Sequence, residues 1–129
     1  MQNSMSPPPV VPASASLTVC DAATPNCSGA SNFSIATVRD IAIAVAWQNV
    51  PSGTHSQTLE ILQPGGGLYQ TLDSAFVIPD EVPSGSQTVV QNFPVAGTWI
   101  TKRSLTGAWI VRVSLDGQPV ATQTVQLNP

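Results

Sequence analysis

Charged side chains are scarce in this chain. Asp, Glu, Lys and Arg make up 9% of the 129 residues, against roughly 25% in an average soluble protein. The net charge is −3, and four residues are basic: Arg39, Lys102, Arg103 and Arg112. A surface that follows a phosphate backbone needs several clustered cations, whereas Lys102-Arg103 is the only adjacent pair and is interpreted as part of a surface strand. The composition argues against nucleic acid as a partner and is typical of exported β-proteins.

Long apolar runs are also missing. The longest apolar stretch, 41–47, has the length of a strand and falls far short of the ~18–20 residues that span a bilayer. No membrane span is therefore predicted. The N-terminal residues carry neither the basic region nor the apolar region of an intact signal peptide. We expect an export signal to have been removed ahead of Met1; another export route or an intracellular location is the alternative.

Histidine occurs once, at His55. His55 could act as a base and Ser52 or Ser56 as a nucleophile. However, the Gly-x-Ser-x-Gly turn that presents a serine nucleophile is missing. A blue-copper site needs two histidines and a cysteine, so one chain cannot build it. We predict that His55 starts a strand and is hydrogen-bonded to backbone. No catalytic residue and no cofactor are predicted.

Adjacent carboxylates also occur once, at Asp80-Glu81. Neighbouring side chains of an extended segment point apart, so these two do not form the acid and base pair of a glycosidase. With Asp73 or Asp21 they have the oxygen ligands that calcium prefers, but the spacing of a calcium loop is absent. No metal site is predicted.

The two cysteines, Cys20 and Cys27, flank a short segment that contains Pro25. The segment is long enough to curl back and close a disulfide; two reduced thiols are the alternative. An oxidised pair indicates an oxidising location: extracellular, periplasmic or at the cell surface.

What the chain does contain is a series of short strand patterns. Met1–Ser16, rich in Pro and Ser, is predicted to be a flexible arm or linker, and 17–129 a single domain. Its strands are predicted at 17–20, 37–48, 57–62, 68–72, 75–78, 87–95 and 98–105, with a hairpin over 107–127. Strands at intervals of roughly ten residues, without a helical period, predict an all-β, two-sheet antiparallel sandwich of about 7–9 strands.

The segment 37–48 has two apolar faces, which places it in the middle of a sheet. One face is large and the other small: Ile41, Ile43, Val45 and Trp47 against Ala42, Ala44 and Ala46.

The terminal hairpin turns at Asp116-Gly117, because glycine tolerates the positive φ of tight loops. A three-residue loop, 116–118, keeps Val125 and Leu127 on the face of Val111 and Val113. A two-residue loop turns them to the opposite face.

Three segments carry a resemblance to a known type of domain. They are Trp47…Gly53-Thr54-His55, Pro64…Leu68-Tyr69-Gln70, and Ala96-Gly97-Thr98-Trp99 through Leu115-Asp116-Gly117. They resemble bacterial immunoglobulin-like or fibronectin-III-like modules, in which a Gly-x-Trp-x-Val-x-Val strand leads into an Asp-Gly hairpin. The resemblance covers about 17–127 and implies an immunoglobulin-like sandwich. The cysteine pair departs from antibody domains, where the bridge joins the two sheets, so antibody-like recognition is not implied.

These observations favour a non-catalytic, exported structural or adhesion module. It would be a subunit of a cell-surface or extracellular filament, with other protein subunits as partners. The Pro-rich segment 1–16, or the first strand with Leu17, Thr18 and Val19, would complete the sheet of a neighbouring copy by adding a strand at an exposed edge.

A second class of function is a carbohydrate-binding or substrate-positioning accessory domain of a larger secreted protein. An exposed Tyr69 and Trp99 on one sheet would then stack against surface glycans. The alternative is that both rings cover the edge of the core. A small hydrolase is a third hypothesis, which the lone histidine disfavours.

Overall fold

A computed structural model describes residues 12–24 and 27–129. These residues form β1 (Ser14–Asp21), β2 (Asn32–Ser34), β3 (Asp40–Pro51), β4 (Gly53–Leu62), β5 (Leu68–Ile78), β6 (Ser84–Pro94), α1 (Trp99–Lys102), β7 (Gly107–Leu115) and β8 (Gln118–Asn128). The strands make two sheets, ordered β1-β3-β6 and β2-β8-β7-β4-β5. All neighbouring strands are antiparallel except β2 and β8. The predicted all-β two-sheet sandwich is confirmed.

The N-terminal boundary of the sandwich lies earlier than the sequence pattern indicated. β1 already begins at Ser14, so 14–16 belong to the sheet. Residues 12 and 13 of the predicted arm precede β1, and 1–11 lie outside the described residues.

The strand β3 is the centre of the three-stranded sheet, as its two apolar faces predicted. It pairs with β1 on one side and β6 on the other. Its larger face is buried at Ile41, Ile43, Val45 and Trp47, each at most 1% exposed. The alanines between them are half-buried on the outer face.

One core fills the space between the sheets. Trp47 and Trp109 are its largest members. The five-stranded sheet contributes the facing layer, with alternate residues of three strands buried: Leu59 and Ile61 from β4, Val111 and Val113 from β7, and Val125 and Leu127 from β8. This alternation is what a strand with one buried face requires.

A chain of hydrogen bonds crosses the core between the two sheets. The Trp47 indole N–H donates to Gln57 Oε1 at 2.7 Å, and Gln57 Nε2 donates to Gln91 Oε1 at 2.7 Å. Gln57 is fully buried. A buried amide is tolerated only where its donors and acceptors are satisfied, and this geometry satisfies both ends of the Gln57 side chain.

The segment 98–105, predicted as a strand, contains the helix α1 instead, so that prediction is wrong. The chain crosses here from the three-stranded sheet to the five-stranded sheet. The Thr98 hydroxyl accepts a hydrogen bond from the Ile100 N–H at 3.2 Å, and Ile100 is fully buried. This N-cap and buried anchor outweigh the strand propensity of the residues that follow Thr98.

The terminal hairpin turns through two residues, Asp116 and Gly117, whose φ angles are 49° and 88°, as a type I′ turn requires. Val125 and Leu127 nevertheless lie on the buried face, where Val125 pairs with Trp109. A bulge shifts the register between β7 and β8 and returns the residues beyond it to that face. The prediction that a two-residue loop turns Val125 and Leu127 to the opposite face of the sheet is therefore wrong.

The two strands predicted at 68–72 and 75–78 form one continuous strand, β5. The Asp73-Ser74 pair that separated them stays in the ladder. The Asp73 carboxylate accepts from the Thr58 hydroxyl at 2.8 Å, and Thr58 is its cross-strand partner. This hydrogen bond gives the Asp73 carboxylate a donor within the sheet, so the strand continues through Asp73.

We expect Gln57→Leu to lower the free energy of unfolding by about 2–3 kcal/mol, because it leaves the buried Trp47 N–H without an acceptor and removes a partner of Gln91. Urea denaturation followed by circular dichroism measures the change. Gln48→Leu, at an exposed glutamine of β3, is the matched control and should change stability by less than about 0.5 kcal/mol. Equal effects of the two substitutions would contradict a role for the buried amide.

Candidate functional site

The helix α1 presents Trp99 to solvent. The orientation of α1 is fixed by Ile100, whose side chain is buried in the core. The Leu105 N–H also donates to the Ile100 carbonyl at 2.9 Å. Trp99, one residue earlier, is left 57% exposed. An exposed tryptophan of this extent is unusual, since leaving a large apolar side chain in water forgoes roughly 1.5–3 kcal/mol of burial.

Two cations lie against the Trp99 ring. The Arg103 guanidinium carbon is 4.6 Å from the ring centroid, and Lys102 Nζ is 5.7 Å from it. Residues three and four positions along a helix share a face, so the helical turn itself brings these side chains to Trp99. Within residues 12–24 and 27–129, neither cation forms an ion pair.

Trp99 borders an open concavity of about 390 Å³. Its wall is formed by α1 and its C-terminal extension, and by the turn between β4 and β5. That turn is closed by a bond from the Gln63 N–H to the Gly67 carbonyl at 2.7 Å. The lining side chains are Gln63, Leu68, Tyr69, Trp99, Arg103 and Leu105.

A close contact behind the concavity requires glycine. Gly107 has a φ of 129°, and a Cβ at this position would lie 2.9 Å from Pro64 Cγ. Gly107 therefore lets the start of β7 approach the β4–β5 turn, which carries Gln63 to one side of the concavity.

Tyr69 and Trp99 line the same concavity but have different roles. Tyr69 is half-buried, and its ring meets Phe93 and Trp109 edge-on, at centroid distances of 5.9 and 5.2 Å. Tyr69 therefore covers the edge of the core, while Trp99 is exposed. Trp99 lies on a helix, so the predicted arrangement of both rings on one sheet is wrong.

His55 joins the β7–β8 turn to the start of β4. Its Nδ1 lies 2.6 Å from Asp116 Oδ2, and its Nε2 lies 2.7 Å from the Pro51 carbonyl oxygen. The other carboxylate oxygen of Asp116 accepts from the Ser56 N–H at 2.8 Å. The predicted backbone hydrogen bond of His55 is confirmed, and the carboxylate partner was not foreseen.

The pKa values of both groups respond to this contact. The hydrogen bond from the His55 ring to the Asp116 carboxylate, opposed by burial and helped by the Pro51 carbonyl, raises the pKa of His55 above its ordinary value of 6.5. The same bond lowers the pKa of Asp116 below 3.8. Because both ring nitrogens face acceptor oxygens, neither offers a lone pair to Ser52 or Ser56, as a catalytic base would have to.

The disulfide between Cys20 and Cys27 is present. The residues after it fold over the outer edge of β1, where the Ala30 N–H donates to the Val19 carbonyl at 2.8 Å. Of the predicted edge residues, Val19 is buried in the core and Leu17 packs against it, while Thr18 lies on the outer face. The backbone edge of β1 is therefore covered at Val19.

The carboxylates considered for calcium lie apart. Asp21 ends β1, whereas Asp80 and Glu81 follow β5 at the opposite end of the sandwich. The described part of the chain holds no group of three or more metal-ligating side chains. It also contains no helix long and apolar enough to cross a membrane.

No protein-family model matches the chain, and no curated protein is similar to it in sequence. Solved structures with a similar fold include an immunoglobulin-like protein and a DNA glycosylase. An immunoglobulin-like protein from Pseudomonas aeruginosa is 12% identical, with a TM-score of 0.53, and the match covers 92% of this chain and 98% of that one. The fold is an immunoglobulin-like β-sandwich.

Another similar structure is an alkylpurine DNA glycosylase from Pseudomonas fluorescens, bound to DNA that contains an abasic-site analogue. It is 15% identical with a TM-score of 0.65, and the match covers 91% of this chain. The chain spans 30% of the length of that glycosylase. At these identities both similarities concern the fold alone.

Sequence reasoning named Tyr69 and Trp99 but missed the cations on Trp99. A signal for them exists: Thr98 is a favourable N-cap, and in a helix Lys102 and Arg103 fall three and four positions after Trp99. The segment was predicted to be a strand, and in an extended strand Lys102 and Arg103 are too far from Trp99 to contact its ring.

The His55–Asp116 contact predicts a pH dependence of stability. His55 has a raised pKa in the folded state, so its contribution is complete below about 6.5 and is lost as the pH rises through that raised value. Asp116 has a lowered pKa, so its contribution is present above about 3.8 and is lost as the pH falls through the lowered value. Stability should therefore be highest between about pH 3.8 and pH 6.5 and should decline as the pH rises above about 6.5.

Thermal melting from pH 5 to pH 9 tests this, with Asp116→Asn as the comparison, because Asn tolerates the left-handed backbone of the turn. The decline above about pH 6.5 should be smaller in the variant. His55 is the only histidine, so coincident pH profiles would show that the contact does not contribute.

Proposed function

We propose that this immunoglobulin-like sandwich is a non-catalytic, exported binding domain that holds a carbohydrate against Trp99. The observation that carries the proposal is the 57% exposure of Trp99 at the rim of a concavity. The concavity of about 390 Å³ falls within the ~300–1,000 Å³ of typical ligand sites. The disulfide supports an oxidising location outside the cytosol.

The chemistry of the concavity matches the chemistry of a sugar. A sugar ring has apolar C–H faces and a rim of hydroxyl groups. Trp99 and Leu68, which is 55% exposed, offer apolar surface, and an aromatic ring pairs well with such amphipathic partners. The Gln63 amide and the Arg103 guanidinium supply donors and an acceptor for the hydroxyl groups.

Nucleic acid is less well supported than carbohydrate. The similar glycosylase was bound to DNA, but this chain carries a net charge of −3. Of its four basic residues, Arg112 is paired with Glu60 at 2.9 Å. Two or three cations are too few to neutralise a run of phosphates.

We expect wild-type protein to bind an oligosaccharide from a panel of neutral and acidic glycans, and Trp99→Ala to weaken that binding at least about tenfold, since stacking on an aromatic ring supplies the apolar contact. Isothermal titration calorimetry measures both. Trp47 and Trp109 are each 1% exposed, so a change of tryptophan fluorescence in the wild type reports Trp99.

Val77→Ala is the matched control, because Val77 is 60% exposed on β5 and lies outside the concavity; it should leave binding unchanged. A Tm of Trp99→Ala equal to that of the wild type would show that the substitution leaves the fold intact. Absence of binding across the panel, or unchanged binding by Trp99→Ala, would refute the proposal.

A second candidate function is assembly into a filament through strand edges, in which a second copy of this chain pairs with β6 or β1. Both are edge strands of the three-stranded sheet. β6 contains no charged residue, and β1 contains one, Asp21, at its end. Proteins commonly place charge on edge strands to prevent such pairing. Since β1 is covered at Val19, β6 offers the longer open edge.

Light scattering after size exclusion tests the filament hypothesis. It predicts a mass that grows with concentration in the wild type and falls to that of a monomer in Val90→Lys, which places a charge on β6 where Val90 is 58% exposed. Deletion of 1–11 tests whether the N-terminal segment takes part. A wild-type monomer at every concentration would exclude this function.

A further inference from the structure

We infer that the carbohydrate held at Trp99 is acidic: a polysaccharide whose sugar rings carry carboxylates, as uronic acids do. This inference rests on the proposed function and adds a substrate class to it. The site combines an aromatic surface with two neighbouring cations, Lys102 and Arg103.

The two cations are available to a ligand. In the part of the chain that the structure describes, neither takes part in an ion pair. No acidic side chain lines the concavity, so an incoming carboxylate meets no like charge there. A guanidinium matches a carboxylate in shape and charge, and the pair is stronger than a hydrogen bond between neutral groups.

The stack on Trp99 prepares Arg103 for this role. A guanidinium 4.6 Å from the ring centroid is held by cation–π attraction, so less side-chain freedom is lost when it binds an anion. Trp99 is still 57% exposed with Arg103 in place. The sugar ring can therefore contact the indole while its carboxylate contacts the guanidinium.

The distribution of basic residues favours the same site. Arg39 lies at this end of the sandwich, since its carbonyl oxygen accepts from the Val95 and Ala96 N–H groups at 2.9 and 3.0 Å. Three of the four basic residues of the chain thus lie at the end that holds α1. Asp21 and Asp40 also lie there, but they flank the three-stranded sheet and do not line the concavity.

The test compares an oligogalacturonate with its fully methyl-esterified form, in which each carboxylate is replaced by an uncharged methyl ester. Isothermal titration at low salt should give a Kd for the acidic form about fivefold lower, because an exposed charge pair typically contributes about twofold and two cations are present. Raising the salt to about 0.5 M should remove most of that difference.

Arg103→Gln and Lys102→Gln should each reduce the ratio of the ester Kd to the acid Kd, because each removes one cation that faces the carboxylate. Arg39→Gln is the control, since it changes the net charge equally at a residue outside the concavity; it should keep the preference. Retention of ester binding also shows that each variant keeps a folded site.

Equal affinity for the acid and its ester would overturn the acidic-glycan inference while leaving carbohydrate binding at Trp99 intact. Binding of neither ligand, together with no response across the glycan panel, would remove both proposals. Tighter binding of an oligothymidylate than of the oligogalacturonate would overturn both in favour of single-stranded nucleic acid, whose bases also stack on aromatic rings.

Discussion

The hydrogen bond between the Trp47 indole and the Gln57 amide joins the two sheets inside an otherwise apolar core. A tryptophan fills a large volume only if its N–H finds an acceptor, and Gln57 supplies that acceptor from the opposite sheet. Gln57 in turn needs a partner for its own N–H groups, which Gln91 provides at 2.7 Å. These linked requirements restrict how β3, β4 and β6 can pack, since sliding one sheet over the other would leave buried polar groups unsatisfied.

The exposure of Trp99 follows from how the chain passes between those sheets. After β6 the chain must reach β7 in the other layer, and it does so through one helical turn anchored by buried Ile100. In that turn the residue before the anchor faces solvent, and the residues three and four positions later lie beside it. The core therefore positions an indole and two cations on the surface without using any of them for packing.

Strand patterns in the sequence were informative where one residue type dominated a face. The two apolar faces of 37–48, with alanines between Ile41, Ile43 and Val45, predicted a central strand, and Asp116-Gly117 predicted the final turn. The buried Gln57 follows the same alternation as Leu59 and Ile61, so its burial could have been read from the period, although its partners could not. Partners depend on which strands meet across the core, and that is a property of the whole chain.

The sequence was misleading where local preference and tertiary demand disagreed. The residues after Thr98 favour a strand, but the crossing between sheets requires a compact turn, and the Thr98 cap stabilises it. The face of Val125 was linked to loop length alone, while a bulge between β7 and β8 restored the buried register. The pairing of His55 with Asp116 joins positions far apart in the chain, which no local pattern reveals.

Hydrogen exchange of the three tryptophan indole N–H groups, followed by nitrogen-15 NMR, tests most directly whether the core and the surface are divided in this way. The Trp47 N–H should exchange only through global unfolding, because it is buried and bonded to Gln57. The Trp99 N–H should exchange near the rate of an unstructured peptide. A Trp47 signal that exchanges as fast as that of Trp99 would contradict the account, since the bond that joins the sheets would then open without unfolding.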